Sequence, residues 1–250
     1  MIQRVWVYGL LGWVMGVLAV PSAEAHLKDY LVTQSSATAE RGEWELEFWN
    51  DMNFAEADNS GSYSSEHKLE LEYGLTDHLQ LAYYEVYSWD RAEDWERKEF
   101  KVEAKYRVLD DGPWPVALAL YTEYKNPDGR RQGHSDEVEN KVILSKDIGR
   151  WNATGNFIFE KKINTGSHWE YEYTAAVSYG LTPRTRLALE VKQGLGDSRD
   201  VDFSERQPLY LVPEISVSPA PHVTLLVGPA FGLTRASDDL QLHSIVEVEF

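Results

Sequence analysis

The chain of 250 residues holds no cysteine and seven histidines, which leaves few routes to nucleophilic or metal chemistry. Without cysteine there is no disulfide scaffold, no thiolate ligand for zinc and no thiol nucleophile. A serine nucleophile needs a histidine within hydrogen-bond reach and a polar group to orient it. His78 and Ser88 lie ten residues apart, which on one extended strand is about 33 Å. His134 and Ser135 are adjacent but sit in a polar stretch with no orienting partner. Histidines 26, 67, 78, 134, 168, 222 and 243 show no i, i+2 or i, i+4 pairing. Asp197, Asp200, Asp202 and Glu205 form an acidic stretch suited to Ca²⁺, yet without the ordered ligand positions of a dedicated calcium loop. The expectation is therefore no enzyme, no catalytic residue, no metal site and no cofactor.

The remaining titratable residues follow a pattern. In 43–50, Trp44, Leu46 and Phe48 alternate with Glu43, Glu45 and Glu47; in 67–75, Leu69, Leu71 and Tyr73 alternate with Lys68, Glu70 and Glu72. Phe100, Val102, Ala104, Tyr106 and Val108 are set against Lys101, Glu103, Lys105 and Arg107. Trp169, Tyr171 and Tyr173 are set against Glu170 and Glu172, and Leu187, Leu189 and Val191 against Arg186, Glu190 and Lys192. A period of two is the mark of strands with unlike faces, and no helix-length period of 3.6 competes with it.

Weaker runs bring the expected strands to twelve: 43–50, 67–75, 79–88, 98–108, 115–125, 138–146, 152–161, 169–180, 185–193, 209–218, 223–232 and 240–250. Connections of 16, 9, 12, 7, 15 and 7 residues alternate with connections of 3, 6, 5, 4 and 4. The short ones carry turn residues, such as Asp110-Asp111-Gly112-Pro113 and Thr182-Pro183. Two hairpins share a motif, Tyr73-Gly74-Leu75-Thr76 and Tyr179-Gly180-Leu181-Thr182. Pro213 and Pro229 fall inside the tenth and eleventh runs, where a missing N–H predicts bulges or shortened strands.

At the N-terminus, Arg4 precedes an apolar run from Val5 to Val20 and the small-residue pattern Ala23-Glu24-Ala25. This reads as a secretory signal peptide over 1–25, cut between Ala25 and His26. The segment 26–42 shows no strand pattern and is expected either as a periplasmic tail or folded into the interior. Residues 43–250 form the remaining domain.

Charge and hydropathy decide what surrounds these strands. The net charge of −17, from 24 Lys+Arg against 41 Asp+Glu, argues against nucleic acid as a partner. Mean hydropathy is −0.44, which on its own suggests a water-soluble protein. The polar strand faces, however, are too charged for the inside of a soluble barrel, and the opposite faces are apolar and aromatic. Trp44, Trp49, Trp89, Trp95 and Trp169 fall toward the long loops, while Trp114, Trp151, Tyr73, Tyr179 and Phe250 fall toward the short turns. Trp44 fits least well, being near the start of its strand. Two aromatic girdles, strict alternation of turn length and an even strand number together predict an all-β, single antiparallel up-and-down transmembrane barrel. About twelve strands are expected, with ten to fourteen compatible.

The signal peptide, the alternation and the final strand Val246-Glu247-Val248-Glu249-Phe250 resemble Gram-negative outer-membrane β-barrels. That resemblance implies an outer-membrane location, lipid and lipopolysaccharide as surroundings, and periplasmic chaperones and the barrel assembly machinery as biogenesis partners. The assembly signal would be Phe250 with Val248, although Val stands at 248 where the pattern has an aromatic residue. The run from Glu70 to Asp77, Glu-x-Glu-Tyr-Gly-Leu-Thr-Asp, resembles the small porin-like barrels grouped with the phenol meta-pathway (MetA-type) outer-membrane proteins. Twelve strands enclose more than a side-chain-filled core and less than a wide aqueous channel. The expected function is a narrow porin-like channel for passive uptake of small solutes. Its lumen would be lined by Glu45, Glu70, Glu72, Glu103, Glu170, Glu172 and Glu190 with Lys101, Lys105, Arg107, Arg186 and Lys192. Two alternatives stay open: a closed structural or binding barrel with a salt-bridged lumen, and an outer-membrane lipolytic enzyme.

Overall fold

A computed structural model describes residues 30–54, 63–90, 93–112, 114–128, 135–164 and 166–250. The signal peptide, its cleavage site and His134 lie outside the described residues. The elements are β1 (Trp44–Phe54), β2 (Tyr63–Thr76), β3 (Leu79–Asp90), β4 (Glu93–Leu109), β5 (Ala117–Pro127), β6 (Glu137–Ile148) and β7 (Trp151–Lys162). They continue with β8 (Glu170–Thr182), β9 (Thr185–Asp197), the two-residue β10 (Asp200–Val201), β11 (Leu209–Ala220), β12 (Val223–Gly232) and β13 (Leu240–Glu249). Each long strand pairs antiparallel with its neighbours in sequence, and β1 pairs with β13 from Glu45↔Glu249 to Phe54↔Leu240. The chain is a closed twelve-strand up-and-down barrel, with β10 added as a short ribbon on β9. Closure removes the edges that an open sheet would expose.

Strands reach further at the long-loop end than the sequence predicts: β1 runs on to Phe54, β4 begins at Glu93 and β9 ends at Asp197. In β4 both faces are largely polar there and the period of two fades, whereas β1 keeps its alternation through Asp51-Met52-Asn53-Phe54. The two prolines behave differently from expectation. Pro213 and Pro229 lie within uninterrupted strands, and the β11–β12 register is the same on both sides of them, at Leu211↔Phe231 and Ile215↔Val227. The irregularity in this pair falls between Val217 and Ala220 instead. Two prolines placed opposite each other spare the ladder a shift, since neither asks the other strand for an acceptor.

The repeated Tyr-Gly-Leu-Thr motif does the same work twice. A bulge falls between Gly74 and Thr76 and again between Gly180 and Thr182. The Thr76 hydroxyl accepts from the His78 and Leu79 amides at 3.2 and 3.0 Å, and the Thr182 hydroxyl accepts from Arg184 N–H at 3.1 Å. Tyr73 packs on Trp44 at 4.4 Å, and Tyr179 on Trp151 at 4.7 Å. Trp44 therefore belongs to the short-turn girdle, because β1 starts there. Trp49 belongs to neither girdle: it shares the inward parity of Glu45 and Glu47, and its indole N–H donates to Glu70 at 2.9 Å.

Burial follows strand parity in the sense opposite to a water-soluble barrel. Leu69, Leu71, Leu81, Val102, Leu120, Phe157 and Val177 are exposed on the outside. Glu47, Glu70, Glu103 and Glu190 are at most 1% exposed. The ring is apolar outside and polar within.

Candidate functional site

The polar interior is occupied by the chain's own N-terminal segment. From Glu43, at the short-turn rim, the strand direction reverses and residues 42 to 30 run as an irregular strap up the interior. Lacking a sheet neighbour, the strap must find acceptors for its amides elsewhere. The wall supplies them. Ala39 N–H donates to Gln80 Oε1 at 2.8 Å, Ser36 N–H to Ser145 Oγ at 3.2 Å and Gln34 N–H to Asn156 Oδ1 at 2.7 Å. Asn156 returns a bond from its own amide to the Gln34 carbonyl at 2.8 Å. The Thr33 and Val32 amides converge on Glu190 at 2.7 and 3.1 Å, and the Leu31 amide is shared between Glu190 at 2.9 Å and Glu214 at 2.8 Å. Finally, the Tyr30 hydroxyl donates to Asn152 Oδ1 at 2.6 Å. Of the two dispositions open to 26–42, the described part lies inside the barrel.

Two close approaches fix its path. At the lower end Gly42 N–H donates to the Gly74 carbonyl at 2.7 Å, and Gly74 N–H to the Glu43 carbonyl at 3.0 Å. A Cβ on Gly74 would stand 1.9 Å from the Glu40 carbonyl oxygen, so only glycine lets the strap cross β2 there. At the upper end Leu31 seats on Tyr210, Val212, Leu226, Ala230 and Ile245, an apolar patch on the inner face of β11–β13. A Cβ on Gly228 would stand 2.9 Å from Leu31 Cδ1.

The strap divides the interior into two chambers that share Tyr30, Thr33 and Gln34 as a partition. The chamber toward the long loops measures about 1100 Å³ and the one toward the short turns about 950 Å³. Their electrostatics differ. In the long-loop chamber eight carboxylates meet six Lys and Arg side chains, mostly in pairs. Lys125 sits between Glu139 and Glu160 at 2.7 and 2.6 Å, Lys141 meets Glu139 at 2.9 Å and lies over the Tyr121 ring, and Lys68 meets Asp51 at 2.9 Å. Asp51 also receives His243 at 2.6 Å. Among the described residues lining the short-turn chamber, eleven carboxylates stand against Lys105, Arg107 and Arg186, and Asp111 has Lys146 beside it. Among the described residues two carboxylate trios, Glu45/Glu47/Glu247 and Glu47/Glu70/Glu72, bring oxygens within 4.8 Å of one another. These are the positions richest in ligand atoms for a hard cation.

Each residue singled out by its spacing now has a place. Glu45, Glu72, Lys105, Arg107 and Arg186 line the short-turn chamber. Lys101, Glu170, Glu172 and Lys192 line the long-loop chamber. Glu70 and Glu103 are buried behind them, accepting from the Trp49 indole and the Tyr84 hydroxyl, and Glu190 holds the strap. Sequence reasoning missed the carboxylate Glu214, the neutral anchors Gln80, Ser145 and Asn156, and the pairing of Lys125 and Lys141. Glu247 and Glu249 were in view only as part of the terminal strand, whose alternation already turned them inward. Val248 and Phe250 have the outward parity, and Phe250 is exposed.

Among the described residues the other chemical candidates do not assemble. His78 lies in the turn below β3 and Ser88 near its upper end. Ser135 Oγ accepts from Asn164 at 2.8 Å. The acidic stretch after β9 brings its own cations: Asp197 pairs with Arg199 at 2.7 Å, Asp202 with Arg206 at 2.9 Å and Glu205 with Arg235 at 3.4 Å. The Ser204 hydroxyl and amide hold the Asp202 carboxyl below its usual range.

No family model and no curated protein matches this chain. Among solved structures the backbone is similar to an outer-membrane channel from Pseudomonas putida F1, with a TM-score of 0.65 and 14% identity over 86% of this chain and 98% of that one. It is also similar to the KdgM porin, with a TM-score of 0.58 and 10% identity, and to the NanC porin, with 0.56 and 12%. Each of these two covers 82% of this chain and 98% of its own. At such identities the likeness is one of fold.

Proposed function

We propose that this protein is a strap-occluded outer-membrane channel for small solutes, with a preference for cations. The observation that carries the reading is the divided lumen: a closed ring encloses two chambers whose partition is a segment of the same chain that is not part of the ring. An apolar exterior on a ring without edges is stable in lipid and costly in water. In this reading the short turns face the periplasm and the long loops face outward. The fold shared with the Pseudomonas putida channel and the two porins supports it.

The charge of the short-turn chamber supports the preference for cations, since rings of Asp and Glu favour cation passage. The KdgM porin has been seen with an oligogalacturonate, a polyanion. A chamber with eleven carboxylates against three cations would repel such a chain. The lining called on here comprises Glu45, Glu72, Lys105, Arg107 and Arg186 below the strap and Lys101, Glu170, Glu172 and Lys192 above it. The resemblance of Glu70–Asp77 to the phenol meta-pathway barrels narrows the family within this reading. A second reading, a closed structural barrel, draws on the same strap.

Planar-bilayer recording on refolded protein tests the proposal. Small discrete steps that reverse toward the cation potential in a KCl gradient are expected, and a variant lacking residues 30–40 should give larger ones. A folded barrel that is silent in both forms would establish the closed reading instead.

A further inference from the structure

We infer that Glu190 is the latch of the strap, and that the strap opens by pivoting at its lower end while the upper end swings free. This deepens the channel reading and rests on it for its consequence, though not for its test.

The two ends of the strap are attached in different ways. The lower end is clipped backbone to backbone, by the reciprocal bonds of Gly42 and Glu43 with Gly74, and Glu40 fills the space beside Gly74. Gly42 has a φ of +89°, a conformation glycine adopts without strain, and its N–H is already fixed on β2. The upper end has no backbone-to-backbone bond in the described residues and depends on side-chain oxygens. Among these Glu190 dominates: it is fully buried on β9 and collects the amides of three consecutive residues, Leu31, Val32 and Thr33. Both oxygens of this one side chain are engaged, Oε1 by Leu31 and Val32 and Oε2 by Thr33. Asn156 and Ser145 add neutral bonds lower down. The Leu31 side chain adds a single apolar contact set at the same point. Loss of one side chain, Glu190, thus strands the Val32 and Thr33 amides together and leaves Leu31 with Glu214 alone, whereas the clip's main-chain bonds need no side-chain acceptor.

Because the chain contains no cysteine, a single introduced thiol reports on the strap alone. In Ser36→Cys, at a buried position against the wall, modification by a membrane-impermeant maleimide measures how often the upper strap leaves the wall. Adding Glu190→Ala should raise that rate by roughly a hundredfold, the effect of losing two to three buried hydrogen bonds. Glu190→Gln, which keeps one acceptor oxygen, should fall between. A bifunctional thiol reagent joining Gln34→Cys to Asn156→Cys should hold the channel in its smallest conductance, and joining Ala39→Cys to Gln80→Cys should leave opening intact. Heat-modifiable migration of each variant verifies the folded ring. An unchanged labelling rate in Glu190→Ala, or equal effects of the two cross-links, would overturn the latch. A labelling rate that rises as expected in a barrel that never conducts would overturn the channel reading and leave the latch standing.

Discussion

The inner wall built by β2–β7 and the inner wall built by β11–β13 solve the same problem in opposite ways. On β2–β7 the inward positions carry ion pairs beside two small apolar clusters, Ala82/Tyr84/Val86 and Ala119/Tyr121/Ile143: Lys101 meets Glu99 of its own strand and Glu123 of β5, Lys125 lies between Glu139 of β6 and Glu160 of β7, and Lys141 meets Glu139 of its own strand. On β11–β13 they include Tyr210, Val212, Leu226, Ala230 and Ile245, which would be poor neighbours for water. The difference is explained by what lies against each wall. The charged ladder lines the long-loop chamber with its charges largely buried and paired with one another. The apolar patch is covered by Leu31 and Val32 of the strap.

Four substitutions would break or sharpen this contrast, in falling order of effect. Lys125→Met leaves Glu123, Glu139 and Glu160 without the cation between them. Stranding buried charges in this way should cost about 3–5 kcal/mol, seen as a lower urea midpoint of the folded barrel. A midpoint equal to wild type would mean the ladder contributes little. Leu31→Ala opens a cavity in the seat and should weaken strap docking by about 2–4 kcal/mol. Hydrogen exchange of the strap amides should accelerate while the strand ladder keeps its protection. If both change together, strap and wall are one cooperative unit.

Gly74→Ala forces the Glu40 carbonyl away from β2 and should cost about 1–3 kcal/mol, concentrated in the lower strap. Faster exchange confined to residues near 31 would contradict a clip at this point. The smallest effect is expected at Asp111, in the turn between β4 and β5. Lys146 Nζ and the amides of Asp147 and Gly112 hold its carboxyl below the usual range. A lowered folded-state value stabilises the fold above the ordinary aspartate pKa of about 3.9 and is lost as pH falls through the lowered value. Asp111→Ala should therefore separate slightly from wild type at neutral pH and converge with it in acid. Separation that grows in acid would reverse the sign.

Much of the ring was legible because it obeys a period. The Glu and Lys residues alternating with Leu and Tyr from 67 to 75 and from 98 to 108 disclosed both faces, and the alternating turn lengths disclosed the topology. The tenth and eleventh strands were harder to read, since Val212, Leu226 and Ala230 blur the alternation by serving the strap. The strap itself had no readable signal. Its amides find partners through Gln80, Ser145 and Asn156, neutral residues of the kind found on any polar strand face. Glu190 was recognisable as inward-facing, but nothing local to it announces three amides arriving from residues 31–33. Trp49 misled for a related reason: tryptophan near a strand end suits an interface, and only the position of Glu70 reveals the interior acceptor.

The partners of the strap are far from it in sequence. Ala39 reaches Gln80 across 41 residues, but Ser36, Gln34 and Leu31 reach Ser145, Asn156 and Glu214 across 109, 122 and 183. Contacts of such separation are late and slow to form. The residues nearest the start of the described chain can take their final place only after β11 has been made and joined to β9. The first part of the protein is thus the last to arrive, and a nearly finished wall must wait, with its apolar patch on β11–β13 uncovered, for the segment that preceded it.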